Sequence, residues 1–208
     1  MCTPQGCADI TLNLGGLYNI YNALGATASA LALGVPLPEV TGSLARFSPV
    51  FGRMESLVID GRTVCLILVK NPTGFNQALR TLSQGLRPHT VLVVLNDRIA
   101  DGQDVSWIWD VDFEGLKEPS LQQTPLPEPP VLFVSGLRAE DMALRLKYAG
   151  LNVGPDSIVG RLKLALDLAL KATPEGETLC ILPTYTATLA VQHLLAQRGH
   201  LPHYWEHG

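Results

Sequence analysis

The sequence predicts an α/β protein built on a mostly parallel, doubly wound (Rossmann-like) sheet flanked by helices. Three observations carry that prediction. Short, continuous apolar runs rich in β-branched residues, at Thr90–Leu95, Val131–Ser135 and Thr178–Leu182, read as strands buried on both faces. Helical patterns over 139–149, 158–172 and 186–198 alternate with them, and strands alternating with helices imply crossover connections. Of the 208 residues, 47% are hydrophobic and the mean hydropathy is +0.20, which supplies a core and excludes disorder.

The elements follow in order. Residues 1–14 read as irregular, ending in a short Ile10–Leu14 strand. Gly15-Gly16 then leads into an Ala- and Leu-rich helix from about Tyr18 to Leu33. Pro36 to Phe47 gives a second helix, with prolines near its start. Ser56–Ile59 and Thr63–Val69 form a hairpin about Asp60-Gly61, a strong turn signal. After Lys70-Asn-Pro-Thr-Gly74 comes an amphipathic helix with Phe75, Ala78, Leu79 and Leu82 on one face. Leu116 to Pro130, with five prolines, reads as a connector.

Composition excludes several classes of function. A net charge of −4 and a pI near 5.7 argue against nucleic acid as the main partner. No stretch approaches the roughly 20 apolar residues of a membrane helix, and Tyr21–Leu33 reads as a buried core helix. The first residues lack a basic region followed by an apolar core, so the chain is expected to be cytoplasmic with reduced thiols. Cys65 and Cys180 fall within strand patterns and are expected to be buried. Cys2 and Cys7 are two ligands where a structural zinc site uses four.

The richest segment is Asn96 to Glu114, which holds five aspartates, one glutamate and two of the three tryptophans. It follows a buried strand, and loops leaving the carboxyl ends of strands are where ligands collect in open α/β sheets. If 104–113 is extended, Asp104, Ser106, Asp110 and Asp112 share one face. Val105, Trp107, Trp109, Val111 and Phe113 then share the other, packed into the core. The aspartates are either a solvated outer face or groups that orient a histidine or bind Mg²⁺. Asp101-Gly102 reads as a turn.

Other residues with site character each carry two readings. Asn19 and Asn22, three apart on a helix, either read the edge of a base or cap the helix. Arg53 either clasps an anion or pairs with Glu55. Lys70 and Asn71 lie at a strand end, facing an anion or solvent. The five histidines have no metal-ligand spacing, and neither Gly-x-x-x-x-Gly-Lys-[Ser/Thr] nor Gly-x-Gly-x-x-Gly occurs.

These motifs taken together resemble one family. Gly16-Leu-Tyr-Asn-Ile-Tyr-Asn-Ala-Leu-Gly-Ala26, Gly52-Arg-Met-Glu55, Lys70-Asn-Pro-Thr-Gly-Phe-Asn76 and the Ser106-Trp-Ile-Trp-Asp110 segment are similar to the C-terminal part of MurT-type subunits of lipid II isoglutaminyl synthase. Arg145-Leu-Lys-Tyr-Ala-Gly150 and Pro183-Thr-Tyr-Thr-Ala187 fit the same family, and the likeness runs from about residue 12 to 198.

The resemblance implies a Mur-ligase-like subunit that uses ATP and Mg²⁺ to activate the α-carboxylate of D-glutamate in the peptidoglycan stem peptide. It also implies a heterodimer with a GatD-type glutaminase supplying the ammonia, acting on lipid II at the inner face of the membrane. An aspartate of the ligase subunit would complete the glutaminase's Cys-His pair; the likeness assigns this to Asp110, with Asp112 and Asp104 as alternatives. It gives Asn19 and Asn22 to adenine, Arg53 to the nucleotide, and Asn71 with Lys70 to ribose or phosphate.

It further implies that 1–47 is the end of the central domain and 48–208 the C-terminal α/β domain. The family's phosphate loop, most of its central ATPase domain and its four-cysteine zinc ribbon do not occur in this sequence, so most of the ATP site is expected outside the chain. Two other readings stand beside this one. One is a docking or nucleotide-binding module without turnover; the other is a piece of an amino-acid-adding Mur ligase.

Overall fold

A computed structural model describes residues 1–13, 16–47, 53–116 and 129–198, without the side chains of residues 17, 53–55 and 84. The chain divides into two compact units, Met1–Met54 and Glu55–Gly208.

In the first unit a two-stranded hairpin, β1 (Cys2–Thr3) and β2 (Gly6–Cys7), precedes two helices, α1 (Leu17–Ala32) and α2 (Leu37–Arg46). The hairpin register sets Cys2 opposite Cys7, and their sulfurs are joined in a disulfide. That corrects the expectation of reduced thiols at these two positions. No strand forms over 10–13, and Leu14 lies outside the described residues. The α1 helix is also less buried than its composition suggests. Asn19, Ala23 and Thr27 are buried at helical spacing, whereas Ile20, Tyr21, Leu24 and Leu33 are exposed. Its apolar residues surround the helix, and one buried stripe accommodates only a fraction of them.

The second unit is built on a five-stranded sheet in the order β3-β4-β7-β5-β6. Its strands are β3 (Arg53–Ile59), β4 (Arg62–Ile67), β5 (Thr90–Val94), β6 (Val131–Ser135) and β7 (Thr178–Pro183). The β4–β7, β7–β5 and β5–β6 pairs are parallel, as the alternation of strands and helices predicts. Asp60 (φ 48°) and Gly61 (φ 73°) turn β3 into β4, the left-handed pair that a two-residue hairpin requires.

The helices cover both faces. Helix α3 (Pro72–Thr81) ends in a π turn over Leu82–Leu86; α4 (Ala139–Tyr148), α5 (Leu162–Ala172) and α6 (Tyr185–Gln197) follow. Alternation along the strands splits the core. Val64, Leu66, Leu92, Val94, Leu179 and Ile181 pack with Ala165, Leu166 and Ala169 of α5 and Ala187, Val191 and Leu195 of α6. The intervening Cys65, Val91, Val93, Cys180 and Leu182 are equally buried and face the other way. Cys65 and Cys180 are free thiols, paired in register on neighbouring strands.

One helix starts later than predicted: α5 begins at Leu162, because Ile158 bridges to Val134 and Val159 N–H donates to Val134 O (2.9 Å). These two β-branched residues extend the edge of β6 before Gly160 releases the chain. Most of the proline-rich connector, 117–128, and His200, His203 and His207 lie outside the described residues.

Candidate functional site

The carboxyl ends of β5, β6 and β7 meet at one edge of the sheet, and Asn96, two residues past β5, ties them together. Its backbone N–H donates to Thr184 Oγ1 (3.1 Å), its Nδ2 donates to Thr186 Oγ1 (3.0 Å), and its Oδ1 accepts from Leu137 N–H (3.0 Å). Gly136 allows the close approach: a Cβ there would lie 2.4 Å from Leu95 O, and its φ is 97°. Asp101 reaches the start of α6, where Oδ1 accepts from Thr186 N–H (2.7 Å) and Oδ2 from Thr186 Oγ1 (2.6 Å). The predicted turn residue is therefore also a long-range cap, satisfying a free donor at a helix N-terminus.

Beyond Asp101 the extended prediction fails. Ser106–Asp110 and Phe113–Leu116 are two short 3-10 helices. A three-residue turn buries every third side chain, and Val105, Ile108 and Val111 go inward, followed by Phe113 and Leu116. Ile108 thus occupies the core position that alternation gave to Trp109. Trp107 is partly buried, with its ring 6.3 Å from that of Phe75, but Trp109 is 49% exposed. The Trp109 ring packs edge-on against the exposed Tyr148 of α4 (5.6 Å between centroids).

The aspartates divide by role. Asp104 accepts from Ser106 N–H (2.8 Å), which holds its carboxyl below the ordinary range. Asp110 and Asp112 are exposed, and among the described residues neither carboxylate has a hydrogen-bond or ionic partner. The backbone N–H of Asp112 is held by Asn76 Oδ1 (2.8 Å). A groove of about 300 Å³ runs beside this segment, lined by Asp104, Ser106, Trp109, Arg138, Asp141 and Leu144.

Sequence reasoning did not single out the residue that holds the segment, Arg145 of α4. It is 4% exposed. Its Nε donates to Ile108 O (3.2 Å) and Nη2 to Val111 O (2.6 Å). Nη1 and Nη2 also donate to the two carboxylate oxygens of Glu114 (3.0 and 2.9 Å). Its guanidinium lies 5.6 Å from the Trp109 ring centroid and 5.3 Å from that of Phe113. The available signal was an arginine among the core-facing positions Met142, Leu146 and Ala149, where a charge is buried only when paired.

The residues expected to meet a nucleotide are distributed over both units. In the first, Asn22 Nδ2 donates to Asn19 Oδ1 (3.4 Å), so the two amides share a helix face, Asn19 buried and Asn22 exposed. Arg53 opens β3; its side chain lies outside the described residues, as does its suggested pairing with Glu55. In the second unit Asn71 caps α3, its Oδ1 accepting from Gly74 N–H (2.8 Å). Among the described residues no three His, Cys, Asp or Glu side chains are grouped to hold a metal ion.

Residues 68–188 match the family described as MurT ligase C-terminal. The chain belongs to that family. This MurT-family chain is 35% identical over 187 residues to the MurT subunit of glutamine-hydrolysing lipid II isoglutaminyl synthase from Streptococcus pneumoniae, a match covering 90% of this chain and 40% of that protein. It is 32% identical over 142 residues to the subunit of the same name from Staphylococcus aureus strain COL, covering 68% of this chain and 31% of that one. The chain thus spans well under half the length of either relative.

Among solved structures, MurF from Acinetobacter baumannii superposes with a TM-score of 0.63 at 23% identity over 94% of this chain and 40% of its own. A pseudomurein peptide ligase type C from Methanothermus fervidus gives 0.62 at 18%, over 90% of this chain and 37% of its own. These likenesses establish a Mur-ligase-like α/β fold.

Proposed function

We propose that this chain is part of the ligase subunit of a lipid II isoglutaminyl synthase, and that its acidic segment docks a glutaminase and lends it Asp110. The observation that carries the reading is the pairing of Asp110 with Trp109. A carboxylate without a partner among the described residues stands beside a half-exposed tryptophan on a segment fixed from beneath by Arg145. Large rings at an exposed surface are typical anchors of protein interfaces.

The chemistry follows from the charge. Asp110 accepts the N–H of the glutaminase's histidine, fixes its tautomer and stabilises the imidazolium formed when the cysteine thiol gives up its proton. The thiolate then attacks the amide carbon of glutamine, the imidazolium gives its proton to the leaving nitrogen so that ammonia departs from a glutamyl thioester, and water hydrolyses that thioester to glutamate; the ammonia would amidate the activated D-glutamate α-carboxylate with loss of its activating group, giving D-isoglutamine. Asp104 is a weaker candidate because its carboxylate already caps Ser106. The carboxylate of Asp112 has no partner among the described residues, and Asp112 is the comparison residue.

ATP with Mg²⁺ is the activating group proposed for the whole subunit. The Asn19–Asn22 amide pair, with Asn22 exposed and Asn19 buried, is proposed to meet the edge of an adenine, and Arg53 to reach the nucleotide. The described residues do not fit a triphosphate with its metal, since no phosphate loop occurs and no metal-ligand group exists among them. The Oδ1 of Asn71 already caps Gly74, and its Nδ2 is the donor proposed for a ribose or phosphate. No phosphoryl step is therefore derived from this chain. The same observation favours the second reading, a docking or nucleotide-binding module without its own turnover.

Residues 1–47 are proposed as the end of a central domain, which the exposed apolar residues of α1 support, and 48–208 as the C-terminal domain. Work on lipid II would set the complex at the cytoplasmic face of a membrane; none of the described helices is long and apolar enough to cross one.

The test is glutamine hydrolysis by the partner glutaminase, with and without this chain, wild type and Asp110→Asn. Stimulation by wild type that falls about a hundredfold or more in Asp110→Asn, with binding retained, supports the assignment. Full stimulation by Asp110→Asn together with loss in Asp112→Asn would move the role to Asp112. Wild-type chain that binds without stimulating would leave the docking module.

A further inference from the structure

We infer that Arg145 is the positioning residue for Asp110: one buried guanidinium sets the backbone on both sides of that carboxylate and the ring beside it. The inference rests on the glutaminase reading above and deepens it.

The segment Ser106–Asp110 holds its shape locally through short-range 3-10 turn hydrogen bonds. Two turn hydrogen bonds bracket it, Ile108 N–H to Val105 O (3.1 Å) and Val111 N–H to Ile108 O (3.3 Å). Short 3-10 turns have poor hydrogen-bond geometry and are weak in isolation. Arg145 supplies what the turn lacks. The two carbonyls it holds, Ile108 O and Val111 O, lie two residues before Asp110 and one after it, so the peptide carrying the carboxylate is pinned at both ends.

Arginine suits this task and lysine does not. The guanidinium presents five donors in a rigid plane. Four of its contacts are to fixed acceptors: the two carbonyls and both oxygens of Glu114. Glu114 lies in the second 3-10 turn, so one side chain couples both turns to α4. Tyr148, three residues further along α4, packs its ring against Trp109. The same helix therefore fixes the backbone of Asp110 through Arg145 and the adjacent ring through Tyr148. Catalytic groups misplaced by about 1 Å lose on the order of a hundredfold in rate, so a clamp on this backbone is a clamp on activity.

The experiment uses the complex of this chain with its glutaminase and reads kcat and KM for glutamine, the Kd of the complex, and the near-ultraviolet circular dichroism of Trp109, assigned by difference from Trp109→Phe. Arg145→Lys keeps the charge and loses the planar fork. Its kcat at saturating chain is expected to fall about a hundredfold, towards that of Asp110→Asn, with KM unchanged and the Trp109 signal reduced. Glu114→Gln, which removes the counter-charge and keeps both carbonyl contacts, should lower kcat less than Arg145→Lys does.

Should Arg145→Lys not fold, the double variant Arg145→Met with Glu114→Gln removes the buried guanidinium together with the charge of its exposed partner, so that neither charge is left alone; the same loss of kcat is expected. A folded variant at Arg145 with wild-type kcat overturns the inference. So does a kcat loss that only follows a weakened Kd, which would make Arg145 structural. If Asp110→Asn abolishes stimulation while the Arg145 variants retain it, the glutaminase reading survives and this inference alone fails. If wild-type chain gives no stimulation, both fail together.

Discussion

Asp101→Ala deletes the cap of α6, two contacts of 2.7 and 2.6 Å to Thr186, and a weaker one of 3.3 Å from Arg98 N–H. Loss of an N-cap costs about 1–2 kcal/mol. The second, charge-assisted contact from the Thr186 hydroxyl adds about 1 kcal/mol, because that hydroxyl already accepts from Asn96 and has no other use for its proton. The expected destabilisation is therefore about 2–3 kcal/mol.

Asp101→Asn keeps one acceptor and should lose about 1 kcal/mol. Urea unfolding followed by far-ultraviolet circular dichroism reads the difference as a shift in midpoint at constant slope. A cycle with Thr186→Val should reveal a coupling of about 1–2 kcal/mol. An unchanged midpoint in Asp101→Ala, or strict additivity with Thr186→Val, would refute the long-range cap and return Asp101 to a simple turn.

Asn71→Ala should destabilise α3 by about 1 kcal/mol through loss of the cap on Gly74, whereas Asn71→Asp keeps the acceptor and the midpoint; equal damage by both would reject the capping role. At Glu114 the Arg145 guanidinium holds the carboxyl below its ordinary range. Its contribution to stability is then fully present above the unfolded value of about 4.3 and is lost as pH falls through the lower folded value. Glu114→Gln should accordingly unfold with a shallower pH dependence below about pH 4.3, and an unaltered acid slope would argue against the pair.

The sheet was readable because its strands are short β-branched runs with a two-residue turn signal, Asp60-Gly61, at one end. Local pattern and tertiary environment agree there. The acidic segment was not readable in the same way. Its period depends on Arg145, 31 residues beyond Glu114 in sequence, and no local pattern of Asp and Trp distinguishes alternation from a three-residue turn. That is why Trp109 was expected in the core and Ile108 was overlooked. The cap made by Asp101 was hidden for the same reason, its partner lying 85 residues ahead. Asn71 shows the opposite case: Asn-Pro-Thr-Gly before an amphipathic helix is a local capping signal, which neither the anion nor the solvent reading of Asn71 used. Helix α1 reads as core from composition alone, and only its Asn19, Ala23 and Thr27 stripe is covered.

The cross-links from Asn96 and Asp101 to Thr184 and Thr186 span 85 to 90 residues, and their partners flank the end of β7, the strand inserted between β4 and β5. During synthesis the segment bearing Trp109 and Asp110 leaves the ribosome well before those partners exist. Long-range closure must wait for them. A nascent or truncated chain lacking β7 therefore has the loop from Asn96 to Asp101 without its anchors, and only insertion of that last strand seats the acidic segment at the carboxyl edge of the sheet.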